Sequence, residues 1–175
     1  MKKRLGLAAI SLAVVLTLCW SVFAEGSGKD SPSGIKTIIH QYISGNAETK
    51  NCLQTSMKLL EDIYSGKRSY SAALITSQLE TLSAYKNRIE TECKYLVELK
   101  SLYLKEFSIV QNALTYAQLN SEKTITQSDR DYISSLAAQA DKIDKEEDTA
   151  YISLFKNAGM KYSISQDGSI NYEYK

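Results

Sequence analysis

The chain has 175 residues and a formal net charge of +1, with 21 Lys and Arg against 20 Asp and Glu. Its 43% of hydrophobic and 23% of charged residues are typical of a globular protein and exclude a disordered or multi-span membrane chain. The balanced charge argues against nucleic-acid binding, because nucleic-acid-binding proteins carry a clustered basic face. One proline and eight glycines are too few for a loop-rich all-β fold, so we expect an all-α protein.

Residues 1–24 have the layout of a secretory signal peptide. Three basic residues at positions 2–4 precede the uncharged apolar stretch Leu5–Leu18, and small residues end the leader at Ala24, where we expect cleavage. The apolar stretch is short for a membrane span. We therefore predict an exported bacterial protein that acts in the periplasm, at the cell surface or outside the cell. A lipid anchor on Cys19 is the less favoured alternative, because a leucine precedes it where a small residue is expected.

Cleavage of the leader changes the charge of the chain. It removes three basic residues and no acidic ones, which leaves 18 basic against 20 acidic side chains and a net charge of −2. No later stretch is long and apolar enough to span a bilayer, so we predict no membrane span after cleavage. Residues 25–34 are rich in glycine, serine and charge, which predicts a flexible linker ahead of a helical bundle over residues 35–159.

The first predicted helix runs from Ile35 to Tyr64, where apolar residues recur at the spacing of one helix face. Gly45 weakens its middle, since glycine costs about 1 kcal/mol relative to alanine inside a helix. A kink at Gly45, or a break into two helices, is consistent with the pattern. Gly66 follows the last apolar residue and is the expected stop.

A heptad repeat in the middle of the chain predicts one very long central helix that ends near Asn120. Neither glycine nor proline occurs in residues 67–158. Positions seven residues apart are apolar, at Ile75, Leu82, Ile89, Leu96, Tyr103, Val110 and Ala117. The sequence offers alternative starts for this helix: an N-cap at Ser69 or Ser71, or a capping box that begins at Ser77.

The third predicted helix begins with an N-cap at Ser128 and ends at Gly159. Together the helical segments predict an elongated antiparallel bundle of three helices, or of four if the first helix breaks at Gly45.

The tail, residues 160–175, alternates apolar and polar residues, which predicts a short β-hairpin. A three-residue loop at 166–168 pairs Ser165 with Ser169 and puts the apolar residues of the tail on one face, so we predict this register. The face carries three tyrosines, Tyr162, Tyr172 and Tyr174. They either cap the bundle, which we favour, or form a candidate interaction surface.

Two cysteines remain after cleavage, and an oxidising compartment favours a disulfide between Cys52 and Cys93. The geometry depends on where the second helix begins. A start at residue 72 leaves the two cysteines about 12 Å apart along the bundle axis, too far for a disulfide. A start at Ser77 brings them within one turn, and we predict the bond.

No motif for catalysis, cofactor binding or metal binding occurs in the chain. His40 is the only histidine, and we expect it at a surface or boundary, because metal and haem sites need several ligands at set spacings. Asp141, Asp144, Glu147 and Asp148 cluster on the third helix, but lysines interleave with them and we expect a solvated face. The sequence therefore predicts a non-enzymatic binding or interaction protein, with a protein partner or with self-association.

The alternative is a small exported α-helical enzyme or ligand-binding bundle with a pocket between its helices. Lys86 and Lys100 interrupt the heptad seam and are the candidate polar groups of such a pocket, with Arg88 and Glu106 near them in sequence. The simpler interpretation is that the lysine stems cross apolar neighbours and their ammonium groups reach the surface.

Overall fold

Four helices and a two-stranded hairpin make up the described part of the chain. The structure is a computed structural model and describes residues 32–86, 96–121, 123–166 and 168–174. The elements are α1 (Pro32–Tyr64), α2 (Ala72–Lys86), α3 (Val97–Leu119), α4 (Gln127–Asn157), β1 (Tyr162–Ile164) and β2 (Ile170–Tyr172). The predicted leader, residues 1–24, lies outside the described residues, as do residues 25–31 of the predicted linker.

The helices and the two-stranded antiparallel C-terminal hairpin confirm the coarser part of the predicted fold class, a mostly helical protein with a short hairpin at its C-terminal end. The described residues form four helices, and each helix contacts the next one along the chain. None of these helices is long and apolar enough to cross a membrane.

Helix α1 is one unbroken helix of 33 residues, so the break considered at Gly45 does not occur. A side-chain hydrogen bond crosses the helical turn that contains Gly45: Asn46 Nδ2 donates to the Tyr42 carbonyl oxygen at 2.9 Å. Apolar residues buried on both sides of Gly45 outweigh the roughly 1 kcal/mol that glycine costs. The helix also begins at Pro32, three residues before the predicted start, since proline suits the first helical position.

The predicted single central helix is instead two helices, α2 and α3, that pack side by side. Helix α2 ends at Lys86, and Gln118 of α3 donates from Nε2 to Thr76 Oγ1 of α2 at 3.2 Å. A continuous helix would hold Thr76 and Gln118 about 60 Å apart. The heptad pattern survives the reversal because both halves bury their apolar positions in one core, among them Ile75, Leu82, Phe107, Val110 and Leu114.

Helix α4 begins with a capping box at Thr126, two residues before the predicted cap Ser128. Thr126 Oγ1 accepts from the Asp129 backbone N–H at 3.3 Å, and Asp129 Oδ2 accepts from the Thr126 backbone N–H at 2.6 Å. Asp129 also accepts the hydroxyl of Tyr116, which anchors this cap to α3. Arg130 donates from Nη1 to the Tyr64 carbonyl oxygen at 2.5 Å and ties the start of α4 to the end of α1.

The hairpin has the predicted register. Tyr162 pairs with Tyr172 and Ile164 with Ile170. The loop closes through Gly168, whose φ of +87° lies in the left-handed region that favours glycine.

The bundle has two apolar cores. The larger core joins the second half of α1 to α2, α3 and the first half of α4. The smaller core lies at the hairpin end, meaning the end of the bundle where α1 and α3 begin, α4 ends and the hairpin packs. Between the two cores lies a layer of buried polar residues, Asn46, Thr49, Lys50, Glu106 and Glu147.

Candidate functional site

On each of three helices, one charged residue occupies a position that belongs to the apolar stripe of that helix. The three interrupted seven-residue spacings are Ile43-Lys50-Met57 on α1, Leu99-Glu106-Ala113 on α3 and Ala140-Glu147-Leu154 on α4. Because the stripe of each helix faces the bundle interior, the three charged side chains also face the interior.

Lys50 is the centre of a buried ionic cluster between α1, α3 and α4. Its Nζ lies 2.6 Å from Glu106 Oε2 and 2.7 Å from Glu147 Oε2, and it also pairs with Asp144 Oδ1. The side chains of Glu106 and Glu147 are each 2% exposed, that of Lys50 is 9% exposed and that of Asp144 is 33% exposed. These four residues are named the Lys50 cluster, and Asp144 is its most exposed member.

Three buried tyrosines surround the Lys50 cluster. The ring centroid of Tyr103 lies 5.4 Å from Lys50 Nζ, which is a cation–π distance. Tyr42 packs edge-on against Tyr103, and Tyr151 hydrogen-bonds to it. Burial raises the pKa of all three phenols well above the ordinary value, and the charge of Glu147 raises it further, so the tyrosines stay neutral.

The pKa values in the Lys50 cluster reflect an excess of negative charge in a buried place. Burial raises the pKa of Glu106 to about 8 and that of Glu147 to about 7, although the charge of Lys50 lowers both. Burial lowers the pKa of Lys50, but the three carboxylates raise it by more, so its ammonium group stays charged.

Among the described residues, four buried oxygen atoms in or next to this polar layer have no hydrogen-bond partner. They are Tyr42 OH, Asn46 Oδ1, Thr49 Oγ1 and Glu147 Oε1. Each belongs to a side chain that is at most 4% exposed. A buried oxygen left without a partner lowers the free energy of unfolding by about 1–3 kcal/mol. The polar layer therefore contains more hydrogen-bond acceptors than its ion pairs use.

The three carboxylates are an all-oxygen set of the kind that binds hard cations. One oxygen from each of Glu106, Asp144 and Glu147 lies within 4.8 Å of the others. Carboxylate oxygens are the ligands preferred by ions such as Ca²⁺ and Mg²⁺. Because two of the three carboxylates are almost fully buried, the cluster is better placed to hold protons or a cation than to meet a substrate.

The predicted solvated face of α4 is wrong for Asp144 and Glu147, which belong to the Lys50 cluster. Asp148 is half-buried, and burial raises its pKa. The solvated part of the stretch lies on the other side of the helix, where Lys142 pairs with Glu146 at 3.8 Å.

The predicted pocket residues Lys86 and Lys100 do not join the Lys50 cluster. Lys86 is exposed, with its Nζ 5.9 Å from the ring centroid of Phe107, and Lys100 is half-buried. Of the residues near them in sequence, Glu106 belongs to the cluster and Arg88 lies outside the described residues.

Cys52 lies in the larger core and forms no disulfide within the part of the chain that the structure describes. Its predicted disulfide partner, Cys93, lies outside the described residues. Ser56 Oγ donates to Gln78 Oε1 at 3.1 Å, which puts Cys52 level with the C-terminal part of α2. The disulfide between Cys52 and Cys93 therefore stays a prediction.

The hairpin tyrosines lie against α1 and α4. Tyr172 OH is 2.8 Å from Nδ1 of His40, and the ring of Tyr174 stacks on His40 with centroids 4.2 Å apart. Tyr162 and Tyr172 are half-buried around Phe155, whose ring stacks on Tyr172 at 5.0 Å. Tyr174 keeps 45% of its surface exposed.

A groove of about 280 Å³ opens at the hairpin end between α1, α3 and α4 and is named the hairpin-end groove. Its lining includes the apolar residues Ile35, Leu99 and Leu154 and the polar residues Glu98, Ser153 and Asn157. Val97, next to Glu98 in sequence, is a large apolar residue with 65% of its surface exposed.

No protein-family model, curated protein or solved structure matches the chain.

Proposed function

We propose that this chain is an exported, non-enzymatic helical binding protein that holds a partner protein at the hairpin-end groove. The groove is the observation that carries the proposal. Its volume of about 280 Å³ lies just below the roughly 300–1,000 Å³ of small-molecule sites and suits one or two apolar side chains of a protein partner.

The chemistry of the groove indicates what the partner presents. Ile35 and Leu154, which are partly exposed, supply apolar contact, and the exposed Glu98 is also part of the lining. A partner with an apolar anchor side chain next to a basic residue matches both features. The anchor contributes affinity by burying apolar surface, and the basic residue fixes the orientation by facing Glu98.

The position of the acid–base groups supports a non-enzymatic function. Glu106 and Glu147 have the raised pKa values that catalysis at neutral pH uses, but their side chains are 2% exposed. A general acid or base must reach the proton that it transfers. Glu98 is the ionisable residue in the lining of the hairpin-end groove.

Export is proposed from the leader pattern of residues 1–24. N-terminal sequencing of the protein purified from the cells that make it should then begin at Glu25. A product that keeps residues 1–24 would contradict export by cleavage.

Site-specific photocrosslinking in the producing cells tests the groove. A photoreactive amino acid at Ser153, which lines the groove, should give one discrete adduct with a different protein. The same amino acid at Ser134, an exposed serine in the other half of α4, is the matched control and should give none. The change Glu98→Lys should reduce the Ser153 adduct several-fold, whereas Glu80→Lys on α2 should leave it unchanged.

Each other outcome contradicts the proposal. Equal adducts at Ser153 and Ser134 would show non-specific contact, and the lack of any adduct at Ser153 would remove the groove as the binding surface. An adduct of twice the mass of the chain would identify a second copy as the occupant.

A further inference from the structure

The polar layer divides the bundle into two halves of unequal strength. The hairpin-end half consists of the first turns of α1 and α3, the last turns of α4 and the hairpin, and it contains the smaller core. Among the described residues, that core holds 12 buried side chains and the larger core holds 19. Because the free energy gained from apolar burial grows with the area removed from water, we expect the hairpin-end half to open more easily than the other half.

The Lys50 cluster closes the boundary between these halves at a cost that depends on ionisation. When all its groups are ionised, three carboxylates face one ammonium group. Glu106 of α3 and Glu147 of α4 both contact Lys50, and each glutamate side chain is 2% exposed, so water does not compensate the excess charge while the layer is closed. Uncompensated charge in a buried place is costly, and opening the layer removes this cost by hydrating the carboxylates.

Two groups in the layer change charge near neutral pH. The titratable and charged groups around the layer are Tyr42 and Lys50 from α1, Tyr103 and Glu106 from α3, and Asp144, Glu147, Asp148 and Tyr151 from α4. The tyrosines stay neutral and the lysine stays charged, because their pKa values are raised above the ordinary ones. Burial raises the pKa of Glu106 to about 8 and that of Glu147 to about 7, so these two carboxyl groups lose their protons as the pH rises through this range.

Buried oxygens without a hydrogen-bond partner favour opening of the layer at every pH. Among the described residues, Tyr42 OH, Asn46 Oδ1 and Thr49 Oγ1 of α1 are such atoms, and each gains water when the layer opens. Gly45, which is exposed, lies in the same stretch of α1, and glycine is among the least favourable residues inside a helix. Helix α1 therefore has a weak point where the smaller core meets the polar layer.

We propose that the Lys50 cluster is a pH-sensitive latch on the hairpin-end half of the bundle. With Glu106 and Glu147 protonated, the layer holds this half closed. With both ionised, this half opens more readily while the larger core stays folded. The hairpin-end groove belongs to the half that opens, since Glu98 and Leu154 line it, so opening also dismantles the groove. The latch is a property of the chain by itself and does not depend on partner binding at the groove.

Hydrogen exchange of the purified protein, followed by mass spectrometry at about pH 5.5 and about pH 8.5, measures the opening of each half. Each observed rate is divided by the rate of an unprotected amide at the same pH, which gives a protection factor. At both pH values, peptides from the hairpin-end half should be less protected than peptides from the larger core. The peptides compared cover residues 96–102 and 150–158 of the hairpin-end half and residues 110–117 and 133–140 of the larger core.

The protection of the hairpin-end peptides should also fall at least about tenfold between the two pH values, the equivalent of one pKa unit. The opening exposes Glu106 and Glu147, and the open state therefore binds fewer protons than the closed state. The larger core should lose protection in parallel, because unfolding of the whole chain exposes the same two glutamates.

Two neighbouring glutamates on α4 give a matched pair of variants. Glu147→Gln keeps the shape of a buried member of the cluster but cannot ionise, so the pH-dependent fall at the hairpin end should shrink to less than about threefold. Glu146→Gln removes the carboxylate that pairs with Lys142 on the solvated side and should leave the fall unchanged. Glu106→Gln serves in place of Glu147→Gln if the latter loses its helical circular dichroism.

Three results would overturn the proposal. Equal protection of the two halves at both pH values would show that the bundle opens only as a whole. Hairpin-end protection that stays level as the pH rises would show that this half opens without the cluster. An equally reduced fall in Glu146→Gln and Glu147→Gln would place the titrating group on the surface of α4.

Discussion

At the scale of single residues, the Lys50 cluster places one ammonium group among three carboxylates in the interior of the bundle. Removing one partner from a buried ion pair typically costs about 3–5 kcal/mol, because the other charge stays behind without compensation. The raised pKa values of Glu106 and Glu147 mean that both side chains bind protons near neutral pH. The bound protons neutralise part of the excess negative charge and so reduce the free-energy cost of burying it. The stability of the protein should therefore depend on pH.

Raising the pH should destabilise the protein. Between the ordinary glutamate pKa of 4.5 and about 8, the folded chain binds more protons at Glu106 and Glu147 than the unfolded chain does. The free energy of unfolding therefore falls as the pH rises through this window, while Lys50, with its raised pKa, stays charged. We expect a loss of at least about 1.4 kcal/mol, the equivalent of one pKa unit.

Urea unfolding at about pH 5.5 and about pH 8.5 measures this loss. Glu147→Gln should flatten the dependence and Glu146→Gln should not, because only Glu147 is buried. A free energy of unfolding that stays level or rises with pH would contradict the assigned direction.

At the scale of elements, the start of α4 depends on one threonine. Thr126→Ala removes the oxygen that accepts from the Asp129 backbone N–H and should lower the free energy of unfolding by about 1 kcal/mol. Ser128→Ala is the control. The sequence predicts Ser128 as the N-cap, but in the structure Ser128 lies inside the first turn of α4. A larger loss for Ser128→Ala than for Thr126→Ala, measured by urea unfolding, would contradict this start of the helix.

The reversal of the chain between α2 and α3 predicts a short distance between two exposed positions. Spin labels at Ser77 and Gln118 should give a short distance by pulsed electron paramagnetic resonance, because the helices that carry them pack about 10 Å apart. A single continuous helix would separate the same positions by about 60 Å. A distance near that value would contradict the antiparallel pair.

The sequence predicts the C-terminal hairpin correctly, because the signals for the hairpin are local. The hairpin follows from alternation around Gly168, and its register follows from putting the apolar residues on one face. The central helices are different, because positions such as Ile75 and Val110 keep heptad spacing whether the chain continues or turns back. Periodicity identifies which residues face a partner helix but does not identify that helix.

At the scale of the whole molecule, the bundle consists of two apolar cores with a polar layer between them. The sequence contains part of the signal for this layer, since Lys50, Glu106 and Glu147 each interrupt an apolar seven-residue spacing. It does not contain their pairing, because Lys50 is 56 residues from Glu106 and 97 from Glu147 along the chain. The pairing of Lys50 with Glu106 and Glu147 depends on the axial register of α1, α3 and α4, which is set only when the three helices pack together.

The most direct test of this account is a double-mutant cycle on Lys50 and Glu147. The single variants Lys50→Met and Glu147→Gln and the double variant are unfolded in urea at about pH 8.5, where both groups are ionised. We predict that the double variant loses less stability than the sum of the single losses, by more than about 1 kcal/mol. The exposed pair Lys142 and Glu146, put through the same cycle, should show a coupling below about 0.5 kcal/mol. A Lys50–Glu147 coupling no larger than that of the exposed pair would contradict a buried ionic layer between the two cores.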